Sequence, residues 1–216
     1  MFTLTGEGRW PVLISAALTS VVLVVMGWVF ATPLAAITII VAYGFRLPRV
    51  EPCDVPLAVT SPATGRVEAV VQDYDPWHAR NCLRLTLRLP FPEFGVLFSP
   101  VHGQISRYAT DMDPNETETD GIEAWFESPS RYTRGLVTDG GHEVVYSVAS
   151  VRKLSRLKFD HGPGERVARG RRSGFFYFAT RIDVLLPEGS TAAVAVGDRV
   201  RGGSDVIAHL SAANPV

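Results

Sequence analysis

A few residues of this chain are of the types that a zinc site needs. His78 and Cys82, together with Cys53, His142 or His161, are residue types that bind zinc. Their spacing matches none of the paired cysteine and histidine patterns of zinc sites, and the two cysteines form no C-x-x-C pair. We therefore expect no metal site, no disulfide framework and a reducing cytoplasmic environment.

Two candidate nucleophiles are hydroxyl side chains that follow small residues, an arrangement that suits attack on the preceding peptide carbonyl. They are Thr180, after Ala179, and Ser204, after Gly203. Ser204 belongs to a repeated turn motif, for which a structural role is expected. His102 is the candidate general base, because it lies two positions before Gln104 and alternate residues of a strand share a face.

The N-terminal segment is apolar and contains no charged residue between Arg9 and Arg46. A membrane span needs about 20 residues, so the segment is too long for one span and too short for two. Thr32-Pro33 is predicted to divide it into residues 11–31, which could span alone, and residues 34–45, of re-entrant length. No signal-peptide cleavage site follows it.

Basic residues flank both ends of the apolar segment. The positive-inside rule then predicts a hairpin with both ends in the cytoplasm, which attaches the chain to the cytoplasmic face of the inner membrane through residues 11–45. A single span with the body outside, and a pair of apolar helices in a soluble protein, are the alternatives. The predicted domains are the hairpin, 1–48, and a body, 49–216.

The body has the pattern of a mainly β (α+β) domain. Fifteen prolines and nineteen glycines indicate many turns. A short helix is predicted around residues 128–133. Runs rich in β-branched and aromatic residues, bounded by proline or glycine, predict strands. These runs are 57–60, 66–71, 83–89, 95–98, 142–148, 175–178, 182–186 and 192–196.

Short motifs in the body suggest a β-sandwich with an internal duplication. Residues 61–67 resemble the opening hairpin of lipoyl and biotinyl domains, but no Met-Lys pair is present to carry such a cofactor. The pattern G-(D/E)-R-V-x-x-G occurs at residues 164–170 and again at 197–203. Its glycines permit the positive φ of tight turns, and its valine can point into the core.

The charge pattern excludes one class of partner and leaves another open. The net charge is −1, so the chain has no global basic field for nucleic acid. The acidic run at 111–127 is interpreted as a solvated loop. The basic run at 152–172 could face anionic lipid headgroups, or it could be a solvated or ion-paired face.

The ordered set of motifs resembles the phosphatidylserine decarboxylase family in its short bacterial and archaeal form, over nearly the whole chain. The motifs are, in order, Phe45-Arg46-Leu47-Pro48, Ser61-Pro62-Ala63-Thr64-Gly65, the stretch from Leu97 through His102 and Gln104 to Arg107, Ala149-Ser150-Val151-Arg152-Lys153-Leu154, Phe178-Ala179-Thr180-Arg181-Ile182-Asp183-Val184-Leu185-Leu186-Pro187, and the closing Gly197–Gly203 turn.

The resemblance implies a particular chemistry. Family members cut themselves at a Gly-Ser bond, and the serine becomes a pyruvoyl group that forms a Schiff base with the lipid amine. An aspartate and a histidine move the protons. This chain has Thr64 at the aspartate, Gln104 at the histidine and Ala179-Thr180 at the Gly-Ser pair. Neither threonine nor glutamine titrates near neutral pH, so we expect neither self-cleavage nor a pyruvoyl cofactor.

The favoured interpretation is a membrane-associated, non-catalytic homologue that binds phospholipid or regulates a lipid-synthesis enzyme. Arg107 and Arg181 match family arginines and are the candidate anion contacts. The partners would be membrane phospholipid and either a second copy or an active homologue. One alternative is an active decarboxylase that uses a Thr180-derived carbonyl, with His102 as base. Another is a structural membrane adaptor without a small ligand.

Overall fold

The computed structural model describes residues 6–45, 50–51, 54–75, 78–89, 94–111, 130–150, 157–177 and 179–211. The chain divides into two compact units, Met1–Arg49 and Val50–Val216. The first is helical and the second is built of strands. With 46% strand and 23% helix, the chain confirms the predicted mainly β class with an N-terminal helical hairpin.

Two apolar helices form the first unit. After a 3-10 turn at Gly6–Gly8, α1 runs from Arg9 to Met26 and α2 from Trp28 to Gly44. They are joined by Gly27 alone, whose φ of 85° is readily adopted only by glycine. A hydrogen bond of 3.1 Å between the Thr19 and Thr38 hydroxyls links them.

The predicted break at Thr32-Pro33 is wrong, because Pro33 lies inside α2. A proline there has no N–H to donate to the carbonyl of Val29. The Thr32 hydroxyl donates to that carbonyl instead, at 3.0 Å. This hydrogen bond explains how the helix continues through the proline, and the chain reverses at Gly27 instead.

The second unit contains fourteen described strands. They are β1 (Ala58–Thr60), β2 (Gly65–Asp75), β3 (Arg80–Arg88), β4 (Phe94–Phe98), β5 (Gly103–Asp111), β6 (Ser130–Val137), β7 (Glu143–Ser150), β8 (Leu157–Phe159), β9 (Arg166–Val167), β10 (Arg172–Tyr177), β11 (Ala179–Pro187), β12 (Thr191–Ala192), β13 (Arg199–Val200) and β14 (Val206–His209). They form an eight-stranded sheet, β13-β2-β3-β11-β7-β6-β5-β9, and two three-stranded sheets, β1-β14-β12 and β4-β10-β8.

The short helix predicted around residues 128–133 is wrong where the structure describes that segment. Ser130–Val137 is strand β6, paired with β5 on one side and β7 on the other. Tyr132 and Thr133 have the β-branched and aromatic character that strands favour, and the pairing on both sides outweighs any local preference for helix. Strand β12 is also shorter than predicted, because it ends at Ala192.

The β unit repeats its own backbone pattern around an approximate two-fold relation. In the large sheet, β13-β2-β3-β11 corresponds to β9-β5-β6-β7, and the two small sheets correspond to each other. The Gly197 N–H donates to Val67 and the Val67 N–H to Asp198, just as the Gly164 N–H donates to Ile105 and the Ile105 N–H to Glu165. The predicted duplication is thus present in the hydrogen bonding.

The two G-(D/E)-R-V turns occupy opposite edges of the large sheet. Gly164 and Gly197 have positive φ, at 83° and 99°. Val167 and Val200 are both 3% exposed, so each edge strand contributes one valine to the core. The core also includes alternate residues of the central strands, among them Leu85, Leu87, Ile182, Val184 and Val148.

Candidate functional site

Thr64, at the family's aspartate position, lies in the turn between β1 and β2. Its hydroxyl oxygen accepts a hydrogen bond of 3.0 Å from the Gly202 N–H. Gly202 approaches so closely that a Cβ there would lie 2.8 Å from the Ala63 carbonyl carbon. The Thr64 side chain therefore fixes one turn against another.

Gln104, at the family's histidine position, is an exposed residue of β5. Its side-chain Nε2 donates to the Gly164 carbonyl at 2.8 Å. The amide thus supports the turn that leads into β9. Like the hydroxyl of Thr64, it does not titrate near neutral pH and cannot act as a general base.

His102 lies just before β5 and is exposed. Its Nε2 is 3.6 Å from Asp139 Oδ2, and Asp139 also forms an ion pair with Arg166. The imidazole therefore belongs to a cluster of exposed charged side chains with Asp139 and Arg166. Gln104 is exposed on the same part of the sheet.

Ala179 and Thr180 lie at the start of β11. Ala179 is buried, and Thr180 is partly exposed. Ala179 pairs with Ser150 and Arg181 with Ala149, so Thr180 is an extra residue in the ladder between β11 and β7. Its carbonyl accepts a hydrogen bond of 3.0 Å from the Leu89 N–H. Such β-bulges bend a strand and are frequent beside active sites.

Of the two candidate anion contacts, the structure describes the side chain of Arg181 and only the backbone of Arg107. Arg181 directs Nε and Nη2 at Asp183 Oδ1, at 3.0 and 2.9 Å, and stays 40% exposed. Asp183 is buried and also accepts a 2.7 Å hydrogen bond from the Thr86 hydroxyl. Arg107 pairs through its backbone with Gly135 in β6, and its side chain lies outside the described residues.

The structure brings some of these residues together and not others. Arg88 is directly opposite Arg181 in β11, and its carbonyl lies 2.6 Å from where a Cβ of Gly65 would be. Thr64 and Thr180 are therefore close to the same end of β3. Among the described contacts of His102 and Gln104, none reaches Thr64 or Thr180.

His102 and Gln104 instead lie in the other half of the sheet, at the positions that correspond to Thr64 and Arg66. Residues 61–67 and 99–105 share the pattern S-P-x-x-G-x-(V/I). The Ser61 hydroxyl donates to Ala63 at 2.7 Å, and the Ser99 hydroxyl to Val101 at 2.8 Å. His102 is thus the counterpart of Thr64. This repeat was overlooked in the sequence, although both copies are visible there.

The candidate zinc ligands have other roles where they are described. His78 lies between two carboxylates, with Nδ1 2.6 Å from Asp75 and Nε2 2.6 Å from Glu143. Burial, followed by Asp75 and Asp73, raises the pKa of the Cys82 thiol. The described ranges contain no group of three histidine, cysteine or acidic residues suited to a metal, and Cys53 lies outside them.

The basic run is only partly described, because residues 151–156 lie outside the described ranges. Arg172 forms an ion pair of 2.8 Å with Asp160, and Arg166 pairs with Asp139. Arg169 donates to the carbonyls of Val55 and Ala58, at 2.8 Å each. These three cations support the protein's own structure. The acidic run lies outside the described residues except for Asp111.

A polar cleft of about 610 Å³ opens at the opposite ends of β3 and β11 from Thr180. None of the residues carried over from the family motifs lines it. Its lining consists of Gln72, Asp73, Asn81, Glu188, Gly189 and Ser190.

Comparison with known proteins decides the family. The model of the family described as phosphatidylserine decarboxylase matches residues 37–208. The chain belongs to the phosphatidylserine decarboxylase family. Proteins named phosphatidylserine decarboxylase proenzyme match it from Nitrosomonas europaea, at 34% identity, and Burkholderia vietnamiensis, at 30%. These matches cover 93% of this chain and 93% and 94% of the relatives. No solved structure matches significantly.

The residues present do not fit the family's serine-derived carbonyl group. That group needs a serine after a glycine, and here the positions are Ala179 and Thr180. Ala179 is 1% exposed, so its methyl group lies in the packed interior where the family has only a hydrogen. No pyruvoyl group can form from this pair, because threonine would yield a different ketone.

Proposed function

We propose that this chain is a non-catalytic phosphatidylserine decarboxylase homologue that binds phospholipid, or that pairs with an active decarboxylase. One observation carries the proposal. At the two positions where the family moves protons, Thr64 and Gln104 use their side chains to hold backbone groups of Gly202 and Gly164. These side chains have become structural supports, and a decarboxylase would need titratable groups there.

The helical unit supports membrane attachment. Within the described part of the chain, α1 is the helix with the length and apolar composition to cross a membrane, and none of its residues is buried. The 18 residues of α1 give a length of about 27 Å, close to the thickness of a bilayer core.

In this proposal the hairpin enters the bilayer from one side, and its two ends stay on that side. Arg9 precedes the hairpin and Arg46 and Arg49 follow it, so by the positive-inside rule we expect both ends on the cytoplasmic face of the inner membrane. A second copy of this chain or an active homologue is the protein partner in this proposal.

A second candidate function is favoured by the bulge at Thr180. The extra residue at this position frees part of the backbone from the ladder, as a self-cleaving site would need. The Thr180 hydroxyl would attack the Ala179 carbonyl carbon, break its bond to the Thr180 nitrogen and leave an ester, while the hydroxyl proton passes to the amine. Elimination of the Ala179 carboxylate and hydrolytic loss of ammonia would leave a 2-ketobutyryl group.

The intact mass of the purified chain in denaturant separates these functions. A single species of 23.5 kDa is expected. Two fragments, the smaller beginning at position 180 without a free amine, would overturn the non-catalytic proposal. The double variant Ala179→Gly with Thr180→Ser is the matched control, because it restores the family's Gly-Ser pair. If it also stays intact, Thr64 and Gln104 suffice to prevent cleavage.

A measurement of decarboxylase activity and a measurement of phospholipid binding complete the test. Conversion of phosphatidylserine to phosphatidylethanolamine by the purified chain would establish the enzyme. Binding of phospholipid without conversion supports the proposal. If neither occurs, and the chain still associates with membranes, it is a structural adaptor.

A further inference from the structure

Four arginines stand in one row across one half of the large sheet. Arg199 of β13 is opposite Arg66 of β2, Arg66 is opposite Arg88 of β3, and Arg88 is opposite Arg181 of β11. Residues directly opposite one another in antiparallel strands point to the same face. With about 4.8 Å between strands, the row is about 14 Å long.

The row lies on the face of the sheet opposite the hydrophobic core, at an exposed end of that face, whereas Thr86 and Asp183 in the next row of the same face are buried. The next row along consists of Val67, Leu87 and Ile182, each 1% exposed or less, and so it faces the core. Because successive residues of a strand point to opposite faces, the arginines point away from that core. Arg66, Arg88 and Arg199 are exposed, and Arg181 is partly exposed.

Positive charge in the row exceeds negative charge. Arg181 pairs with Asp183, and Arg66 Nε donates to the Gly197 carbonyl at 2.8 Å. Within the described ranges, Arg88 and Arg199 have no ion-pair partner. Like charges directly opposite one another in a sheet are destabilising, so the row has a cost that an anion would remove.

The other half of the sheet shows that the fold does not require these arginines. Its corresponding row is Arg166, Gln104, Val137 and Glu143, which the same backbone pairing connects. The backbone hydrogen bonds next to the two rows support this alignment. The Leu89 N–H donates to the Thr180 carbonyl beside the first row, and the Thr138 N–H donates to the His142 carbonyl beside the second. That second row has no net charge. Three of the four arginines, Arg66, Arg88 and Arg181, are therefore specific to the half that contains Thr180, whereas Arg199 has a counterpart in Arg166.

We propose that Arg66, Arg88, Arg181 and Arg199 bind the phosphate group of a phospholipid headgroup. Guanidinium groups match phosphate oxygens through paired hydrogen bonds, and arginine is the preferred residue for this contact. The row passes Thr180 and follows Thr64-Gly65, so a lipid held there would place its headgroup beside the family's reaction position. The inference rests on the proposed phospholipid-binding function and identifies which group of the lipid is held.

The test uses the full chain in nonionic detergent micelles, titrated by calorimetry. The probes are dihexanoyl phosphatidylserine, dihexanoyl phosphatidylcholine and inorganic phosphate. Arg66→Gln and Arg88→Gln should each weaken lipid binding about tenfold, since a hydrogen bond between charged groups contributes about that factor. Arg84→Gln is the matched control, because Arg84 is on the same strand and face but pairs with Asp73, at 2.6 Å.

A stability measurement separates lost binding from lost folding. Removing one charge from the row relieves repulsion, so the urea midpoint of Arg88→Gln should equal or exceed that of the unmodified chain, whereas Arg66→Gln also loses the hydrogen bond to the Gly197 carbonyl. A lower midpoint for Arg88→Gln would mean that this arginine is structural and would overturn the inference.

The binding outcomes separate this inference from the proposed function. If the unmodified chain binds lipid and both row variants bind equally well, the row is not the phosphate site, and the proposed function stands. If the unmodified chain binds no phospholipid, lipid binding itself fails. If inorganic phosphate binds as tightly as the lipids, the site takes free phosphate and the headgroup assignment is wrong.

Discussion

Asp205 and Arg201 form the best-defined ion pair near the Thr64 turn. Asp205 accepts hydrogen bonds from the Arg201 backbone N–H at 2.8 Å and from Nη2 at 2.9 Å. Burial raises the pKa of Asp205, but these hydrogen bonds and the charge of Arg201 outweigh it, so the pKa is lowered from 3.8. The Asp205 carbonyl also accepts the Ser61 N–H, which connects the pair to the start of the Thr64 turn.

The lowered pKa of Asp205 predicts a pH-dependent contribution to stability. A carboxyl group whose pKa is lower in the folded state stabilises the fold above its unfolded pKa and loses that contribution as the pH falls through the folded value. Asp205→Asn should therefore be less stable than the unmodified chain at pH 7, and the difference should shrink below about pH 4. Urea unfolding at pH 7, 5 and 3 measures it, and a constant difference would contradict the assignment.

At the residue scale, the sequence predicted which positions matter but not what their side chains contact. Thr64 and Gln104 could be located from motif order, because the motifs are local. Their partners, Gly202 and Gly164, are 138 and 60 residues away. Such contacts follow from strand pairing over long separations, which no local pattern determines. For the same reason, four arginines distant in sequence could not be recognised as one row.

Glycine in the S-P-x-x-G turns is required where β2 and β5 begin. A Cβ on Gly103 would lie 2.3 Å from the Val137 carbonyl oxygen, and one on Gly65 2.6 Å from that of Arg88. Both oxygens belong to the backbone of the paired strand, so they cannot rotate away. Gly103→Ala should therefore lower the free energy of unfolding by about 1–3 kcal/mol, the usual cost of overpacking.

Urea unfolding of the full chain checks this prediction against Gly162→Ala. A Cβ on Gly162 would approach only the Glu165 side chain, at 3.7 Å, which is ordinary contact. The control variant should keep the stability of the unmodified chain or gain slightly through the reduced freedom of its unfolded state. Equal midpoints for the two variants would show that the strands beside Gly103 can separate at little cost.

At the element scale, prediction succeeded where one local signal dominated. Strands such as β3 and β11 were predicted from the strand-forming composition of their segments and from the proline or glycine residues that bound them. It failed where two signals competed. Pro33 was given more weight than Gly27, yet a hydroxyl can compensate for a missing N–H, whereas the reversal needs the positive φ of glycine. For β6, pairing partners on both sides decided the conformation.

At the scale of the whole molecule, the two units predict two separable kinds of membrane contact. In the proposed function, the hairpin associates with the membrane through apolar surface, and salt would not weaken that contact. The proposed phosphate site on the arginine row would act electrostatically, and at 1 M salt such attraction is screened within about 3 Å. The full chain should therefore remain with anionic vesicles in 1 M salt. A chain that starts at Val50 should bind them only at low salt.

Vesicle co-sedimentation of both chains, with anionic or purely zwitterionic vesicles, measures this difference. The chain from Val50 should be checked first by circular dichroism, which should show the strand signal of the β unit. Its binding at low salt should fall further with Arg88→Gln and remain with Arg84→Gln, because only Arg88 belongs to the row. If the chain from Val50 stays with vesicles in 1 M salt, the β unit has an apolar membrane contact of its own, and attachment through residues 11–45 alone is wrong. If the full chain is released by salt, the hairpin does not enter the bilayer, and electrostatic contact accounts for all of the association.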